Sequence, residues 1–196
     1  MSSAGLTVTY GATNAGAVPC PFGVGAHPYF AFGGTSIDAV ELHVPAETWL
    51  EVDARSIPQA RRPVAGSDVD FRRSRVIGAL RLDHAFTDLQ RDADGAARVV
   101  LRYGKHQVRI ELDRSFEYVQ VFTGDTLFDR SRRRQAVAIE PMTCAPNAFN
   151  NGQGLRMLAP HESLQAAMEH RVTTWTAVIA TQVRVGDLRL TLTPAR

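Results

Sequence analysis

The chain is poor in the features that would give it covalent or metal staples. It has two cysteines, Cys20 and Cys144, in 196 residues, with no CxxC pair and no HExxH, which argues against a disulfide scaffold and against a zinc site and fits a reducing cytoplasm. Surplus charge is also small: 22 Lys and Arg against 20 Asp and Glu leave a net +2. The one dense basic run, Arg130-Ser-Arg-Arg-Arg134, has no interleaved aromatics, so it reads as a solvated loop before a strand and nucleic acid is not an expected partner. No apolar run approaches the roughly 20 residues of a membrane helix. The start, Met1-Ser-Ser-Ala-Gly5, lacks a charged then apolar signal segment. A soluble cytoplasmic protein is expected, with no membrane partner. Helix-forming composition is confined to Glu162-Ser-Leu-Gln-Ala-Ala-Met-Glu-His-Arg171, where Leu164, Ala167 and Met168 share helical spacing. Short apolar runs separate helix from strand poorly, so that segment stays open between the two.

What is present is a succession of short alternating runs. At 196 residues and 44% hydrophobic composition, one core and a single domain over residues 1–196 are expected. Leu6-Thr-Val-Thr-Tyr10, Ser36 to Val44, Trp49-Leu-Glu-Val52, Arg98 to Tyr103, Gln107 to Leu112, Glu117 to Thr123 and Gly154 to Leu158 read as strands. Pro58, Pro63 and Gly66 mark an irregular connection. Asp94-Gly95 and Gly104-Lys105 suit tight hairpin turns, giving an antiparallel meander. Val178 to Val185 and Leu188 to Leu192 are expected to pair around Gly186-Asp187 as a terminal hairpin. About a dozen short strands with little helix predict an all-β antiparallel sandwich.

Two stretches carry chemistry. In Gln135-Ala-Val-Ala-Ile-Glu140 a strand-like run leads to an acid, and Pro141 holds Glu140 extended and is expected to end the ladder. On spacing alone, Glu140 reads more readily as a charge closing a strand. In Pro21-Phe-Gly-Val-Gly-Ala-His-Pro-Tyr-Phe30, His27 sits among aromatics; it is suited to proton transfer near neutrality, with Tyr29 and Phe30 as a wall for a ring-shaped ligand. Alone, such a histidine is more often a satisfied core residue.

Together with Leu82-Asp-His-Ala-Phe86, these stretches resemble three motifs of the aldose 1-epimerase (galactose mutarotase) family: Gly23 to Phe30, Leu82-Asp83 with Phe86, and Glu140-Pro-Met-Thr143 through Phe149. Ala12-Thr-Asn14, Asp70-Phe-Arg72, Phe122-Thr-Gly-Asp125 and Leu158-Ala-Pro160 with Glu162 are further matches in order. The wording is most similar to the bacterial branch of mutarotase-like proteins. The resemblance implies a twisted β-supersandwich, His27 as general acid, Glu140 as general base, and Asp83, Tyr29 and Phe30 as substrate-binding residues on a hexose. It implies no cofactor and no metal.

The resemblance also has gaps. The family's histidine motif usually lies past mid-chain, so an N-terminal portion is expected to be missing, and with it an arginine and a second histidine of the sugar site. That expectation brings a second one, self-association through an exposed sheet edge. His161 stands where the family usually has a turn glycine, and Asn147 where an aspartate is common. His84, next to Asp83, is expected to point away from the sugar. A pyranose-sized gap is expected between His27 and Glu140. Three readings stay open: a mutarotase, a sugar-binding homologue with weak or no turnover, and a fragment whose missing strands come from another chain.

Overall fold

A computed structural model describes residues 5–172, 180–182 and 189–194. The first strands are β1 (Leu6–Thr13), β2 (Cys20–Phe22), β3 (His27–Phe30), β4 (Glu41–His43), β5 (Ala46–Val52), β6 (Pro58–Pro63) and β7 (Arg75–Val76). Then come β8 (Asp83–Leu89), β9 (Ala97–Tyr103), β10 (His106–Leu112), β11 (Tyr118–Phe122), β12 (Val137–Met142), the short helix α1 (Ala148–Asn151) and β13 (Arg156–Leu158). β14 (Ser163–Val172), β15 (Ala180–Gln182) and β16 (Arg189–Pro194) complete the described chain. The expected all-β antiparallel architecture is what forms. One seven-stranded sheet has the order β16-β1-β14-β10-β9-β4-β7, a second has β15-β3-β12-β11-β8-β5-β6, and β13 pairs with β2 in a two-stranded sheet.

The core lies between the two sheets because each strand alternates its side chains across the sheet plane. In β10, Val108, Ile110 and Leu112 are buried while Gln107, Arg109 and Glu111 are only partly so. They pack with Val8, Tyr10, Val99 and Leu101 of the same sheet and with Phe30, Phe86, Val119, Val121, Val137 and Ile139 of the other. Shortening one of these fully buried side chains to alanine costs about 2–5 kcal/mol.

Several local expectations are corrected. The open segment at 162–171 is strand: β14 pairs with both β1 and β10, and two ladders outweigh its helical propensity. Asp94-Gly95 is no hairpin turn, because it carries the chain from β8 in one sheet to β9 in the other; Gly104-Lys105 does join the paired β9 and β10. The segment with Pro58 and Pro63 is an edge strand paired only with β5, where a missing N–H can face away from the ladder. Ser36 to Val44 breaks into a 3₁₀ turn at Ile37–Ala39, capped by Ser36, before β4 begins. The terminal strands separate, β15 joining β3 and β16 joining β1, since each of those had a free side; Gly186-Asp187 lies outside the described residues. Of the described edges, β6 carries two prolines and β7 spans only two residues. Both are poor templates for another chain.

Candidate functional site

The site forms on the face of the second sheet that points away from the core, and strand alternation decides which residues reach it. On β12, Val137 and Ile139 are fully buried, so Glu140 and Met142 face outward. On β11, Val119 and Val121 go inward, and Gln120 and Phe122 come out. Register then sets the neighbours: Glu140 lies opposite Gln120, which lies opposite Ala85, while Tyr29, Ala138, Phe122 and Asp83 form the next row.

His27 is brought to Glu140 by a zipper outside the regular strands. The Val24 N–H donates to Thr143 Oγ1 (2.9 Å), the Thr143 N–H to the Val24 carbonyl (2.9 Å), and the Ala26 N–H to the Pro141 carbonyl (3.0 Å). Pro141 therefore does not end the ladder, as β12 runs to Met142 and Pro141 supplies an acceptor.

The imidazole Nε2 of His27 lies 3.2 Å from Glu140 Oε1. The ring stacks on Tyr29 with centroids 4.8 Å apart and meets Phe122 edge-on. Asp83 Oδ1 accepts a hydrogen bond of 2.6 Å from Gln120 Nε2. A cavity of ≈ 300 Å³ is lined by His27, Glu140, Asp83, Gln120, Phe122, Ala85, Met142, Pro146, Val52 and Ser56. Burial pushes the Glu140 carboxyl up to about 8, and the negative charge of Asp83 adds to the shift. Burial lowers His27 below its ordinary value, opposed by its own backbone and by Asp83. Both neutral forms are thus favoured, and a carboxyl and an imidazole in contact hold one proton between them.

His27, Glu140, Asp83 and Tyr29 are brought together, but the ring-wide gap expected between acid and base is not there. Their polar heads meet, which partly compensates each for its loss of water. Phe30 departs from the expected set: it lies opposite Val137, is fully buried, and belongs to the core instead of the cavity wall. His84 also faces the core side, edge-on to Trp49 with centroids 5.3 Å apart. His161 adopts φ 64 and Asn147 φ 62, both in the left-handed region that glycine enters without steric cost. Gln120 escaped the sequence reading, although it is the one polar side chain in Tyr118-Val-Gln-Val-Phe122. A larger cavity of ≈ 630 Å³ is lined by Glu47, Asp70 and Arg72 to Arg75. There Arg72 is already bound to Asp70 and to Glu47, both at 2.7 Å, so those three charges serve one another.

The aldose 1-epimerase family model matches residues 1–171. The chain belongs to the aldose 1-epimerase family. Among its relatives, YihR of Escherichia coli K12, itself uncharacterised, is 33% identical over 154 residues, covering 79% of this chain and 47% of YihR. YphB of the same organism, also uncharacterised, is 28% identical over 173 residues, 85% of this chain and 56% of its own. The chain spans about half the length of the curated relatives it matches. Among solved structures, a galactose mutarotase-like protein from Clostridium acetobutylicum superposes with a TM-score of 0.71 at 17% identity, over 85% of this chain and 52% of that one. The galactose 1-epimerase of Lactobacillus acidophilus gives 0.67 at 19%, over 85% and 53%. At these identities the likeness concerns the fold.

Proposed function

We propose that this member of the aldose 1-epimerase family interconverts the α and β anomers of a free aldose in the cytoplasm, with His27 as general acid and Glu140 as general base. The observation that carries the reading is the 3.2 Å contact between His27 Nε2 and Glu140 Oε1 on the floor of a cavity rimmed by Asp83 and Gln120.

Anomer exchange needs two proton transfers at one carbon. The ring oxygen receives a proton as its bond to the anomeric carbon breaks, and the anomeric hydroxyl loses one as the carbonyl forms. Both oxygens are substituents of that single carbon, so an acid and a base lying side by side suit the reaction better than a pair separated by a ring. With the sugar seated, the His27 imidazolium gives its proton to the ring oxygen and the Glu140 carboxylate takes the hydroxyl proton. The open-chain sugar then faces a neutral imidazole and a neutral carboxyl, the forms that burial favours. Rotation about the bond next to the carbonyl presents its other face. Glu140 returns its proton to the carbonyl oxygen as His27 removes the one on the former ring oxygen, and the ring closes as the other anomer. The pair ends with the proton it began with.

Asp83, oriented by the Gln120 carboxamide, accepts hydrogen bonds from ring hydroxyls, where an ionised acceptor is stronger than a neutral one. The test is polarimetry, or proton NMR exchange, on freshly dissolved aldoses. Acceleration that is lost in Glu140→Gln supports the assignment. Sugar binding without acceleration makes the chain a carbohydrate-binding homologue instead.

A further inference from the structure

Asp83 enters its strand with a ladder on one side only. It is the first residue of β8. There β11 pairs with residues 83–86, whereas β5, on the other side, pairs only with residues from Phe86 to Leu89. A strand end with one neighbour opens readily, yet the carboxylate it carries has to keep its place at the cavity rim.

Phe122-Thr-Gly-Asp125 supplies what the ladder does not. Thr123, fully buried just past β11, binds both backbone groups of Leu82, the residue before Asp83. Its N–H donates to the Leu82 carbonyl (3.0 Å), and its Oγ1 accepts the Leu82 N–H (2.9 Å). The hydroxyl proton of Thr123 goes to Asp125 Oδ2, because an ionised acceptor is stronger than the Leu82 carbonyl 3.2 Å away. Arg134 Nη1 in turn donates to both oxygens of Asp125 (3.0 and 3.1 Å). The same guanidinium donates to the carbonyls of Gly78 (2.6 Å) and Leu80 (3.2 Å), in the turn that leads to Leu82, and through Nε to Asp38 Oδ1 (2.6 Å). Arg134 sits at φ 57, a left-handed conformation that an L-residue keeps only when its surroundings over-determine it. The segment 78–82 is thus tied at both ends, and Asp83 follows directly.

From this we infer that Thr123, Asp125 and Arg134 are positioning residues for Asp83. None of the three lines the cavity. They fix the backbone at Leu82, and so the place of the Asp83 carboxylate beside Gln120. The inference rests on the proposed anomer exchange and extends it to residues that the sugar does not touch.

The experiment is a double-mutant cycle between Thr123→Val and Asp83→Ala, read from initial rates of mutarotation over a range of sugar concentrations. Valine keeps the shape of threonine and removes the hydroxyl. Thr123→Val alone is expected to raise KM about tenfold, the scale of one hydrogen bond to a charged acceptor, with kcat nearly unchanged. In the Asp83→Ala background the same change is expected to leave KM where Asp83→Ala put it, because no carboxylate is left to position. Thr123→Ser keeps the hydroxyl and is expected to restore the wild-type KM. Arg134→Lys keeps a positive charge but cannot reach Asp125 and two carbonyls at once. It is expected to shift KM in the same direction and to cycle with Asp83→Ala alike, which provides the test if Thr123→Val does not fold. Additive effects on KM, or equal losses of kcat in both backgrounds, overturn the positioning role while leaving anomer exchange intact. A wild type that binds the sugar without accelerating exchange overturns the catalysis alone, and the cycle is then read from the dissociation constant. Neither binding nor acceleration overturns both.

Discussion

Replacing Glu140 by glutamine separates a working buried acid from a charge that merely closes a strand. The Glu140 side chain is 15% exposed, and its carboxyl is raised from 4.5 in a solvated chain to about 8 in the fold. A group raised in this way gives its full stability below the solvated value and loses it as pH climbs toward the folded one. At about 1.4 kcal/mol per unit, the wild type should lose about 2–3 kcal/mol between pH 5 and pH 7, and about 4 kcal/mol between pH 5 and pH 9. Glutamine has nothing to ionise, so Glu140→Gln should gain on the wild type by those amounts across the same window. Its turnover should fall about 10²-fold or more, the scale for removing a positioned base. Denaturant unfolding of both chains at pH 5, 7 and 9 measures the first effect, and polarimetry the second. Repeating the unfolding curves with His27→Asn in both chains removes the neighbouring imidazole, and the slope should then steepen. A stability difference that stays constant with pH would refute the argument, since a solvated carboxylate at a strand end behaves in that way.

His27→Asn should lower turnover about 10²-fold with the fold intact, and a melting temperature that collapses without a specific loss of rate would favour a core role for the ring. Gln120→Leu removes the donor that orients Asp83 and should raise KM several-fold, with a smaller effect on kcat, read from initial rates over a range of sugar concentrations. His161→Gly should stabilise the chain by about 1 kcal/mol, because the turn at φ 64 costs an L-residue that glycine is spared; thermal melts of the two proteins check it.

The architecture was legible because it rests on alternation. Leu6 to Tyr10, Gln107 to Leu112 and Gln135 to Glu140 each reveal a buried and an exposed face in the order of their letters. Pairing was less so, since a run such as Val178 to Val185 does not state which free edge it will meet, and Asp94-Gly95 turns the chain equally well between sheets or within one. Helix propensity lost at 162–171 for a similar reason: two ladders decide the matter, and neither partner is nearby in sequence. His27, Glu140, Asp83 and Tyr29 were readable from motifs. Phe30 was misplaced by the same aromatic run, although parity with His27 and Tyr29 was enough to send it to the core. Gln120 and Ser56 belong to no motif and appear only once the strands are placed side by side.

That parity makes register a condition of function as well as of folding. A slip of β12 by one residue would turn Glu140 in among Val119 and Val121 and put Ile139 into the cavity, since every side chain changes face together. The zipper between 24–26 and 141–143 opposes such a slip, because Thr143 receives from Val24 through its side chain and gives to it through its backbone. The two segments approach closely enough that a Cβ on Gly23 would fall 2.4 Å from Cys144 Sγ, and one on Gly25 3.3 Å from Met142 Cγ. Glycine at both places lets the backbones close on each other. Gly23-Val-Gly25 thus acts one step before the chemistry, by fixing the pairing that carries His27 to the carboxyl of Glu140.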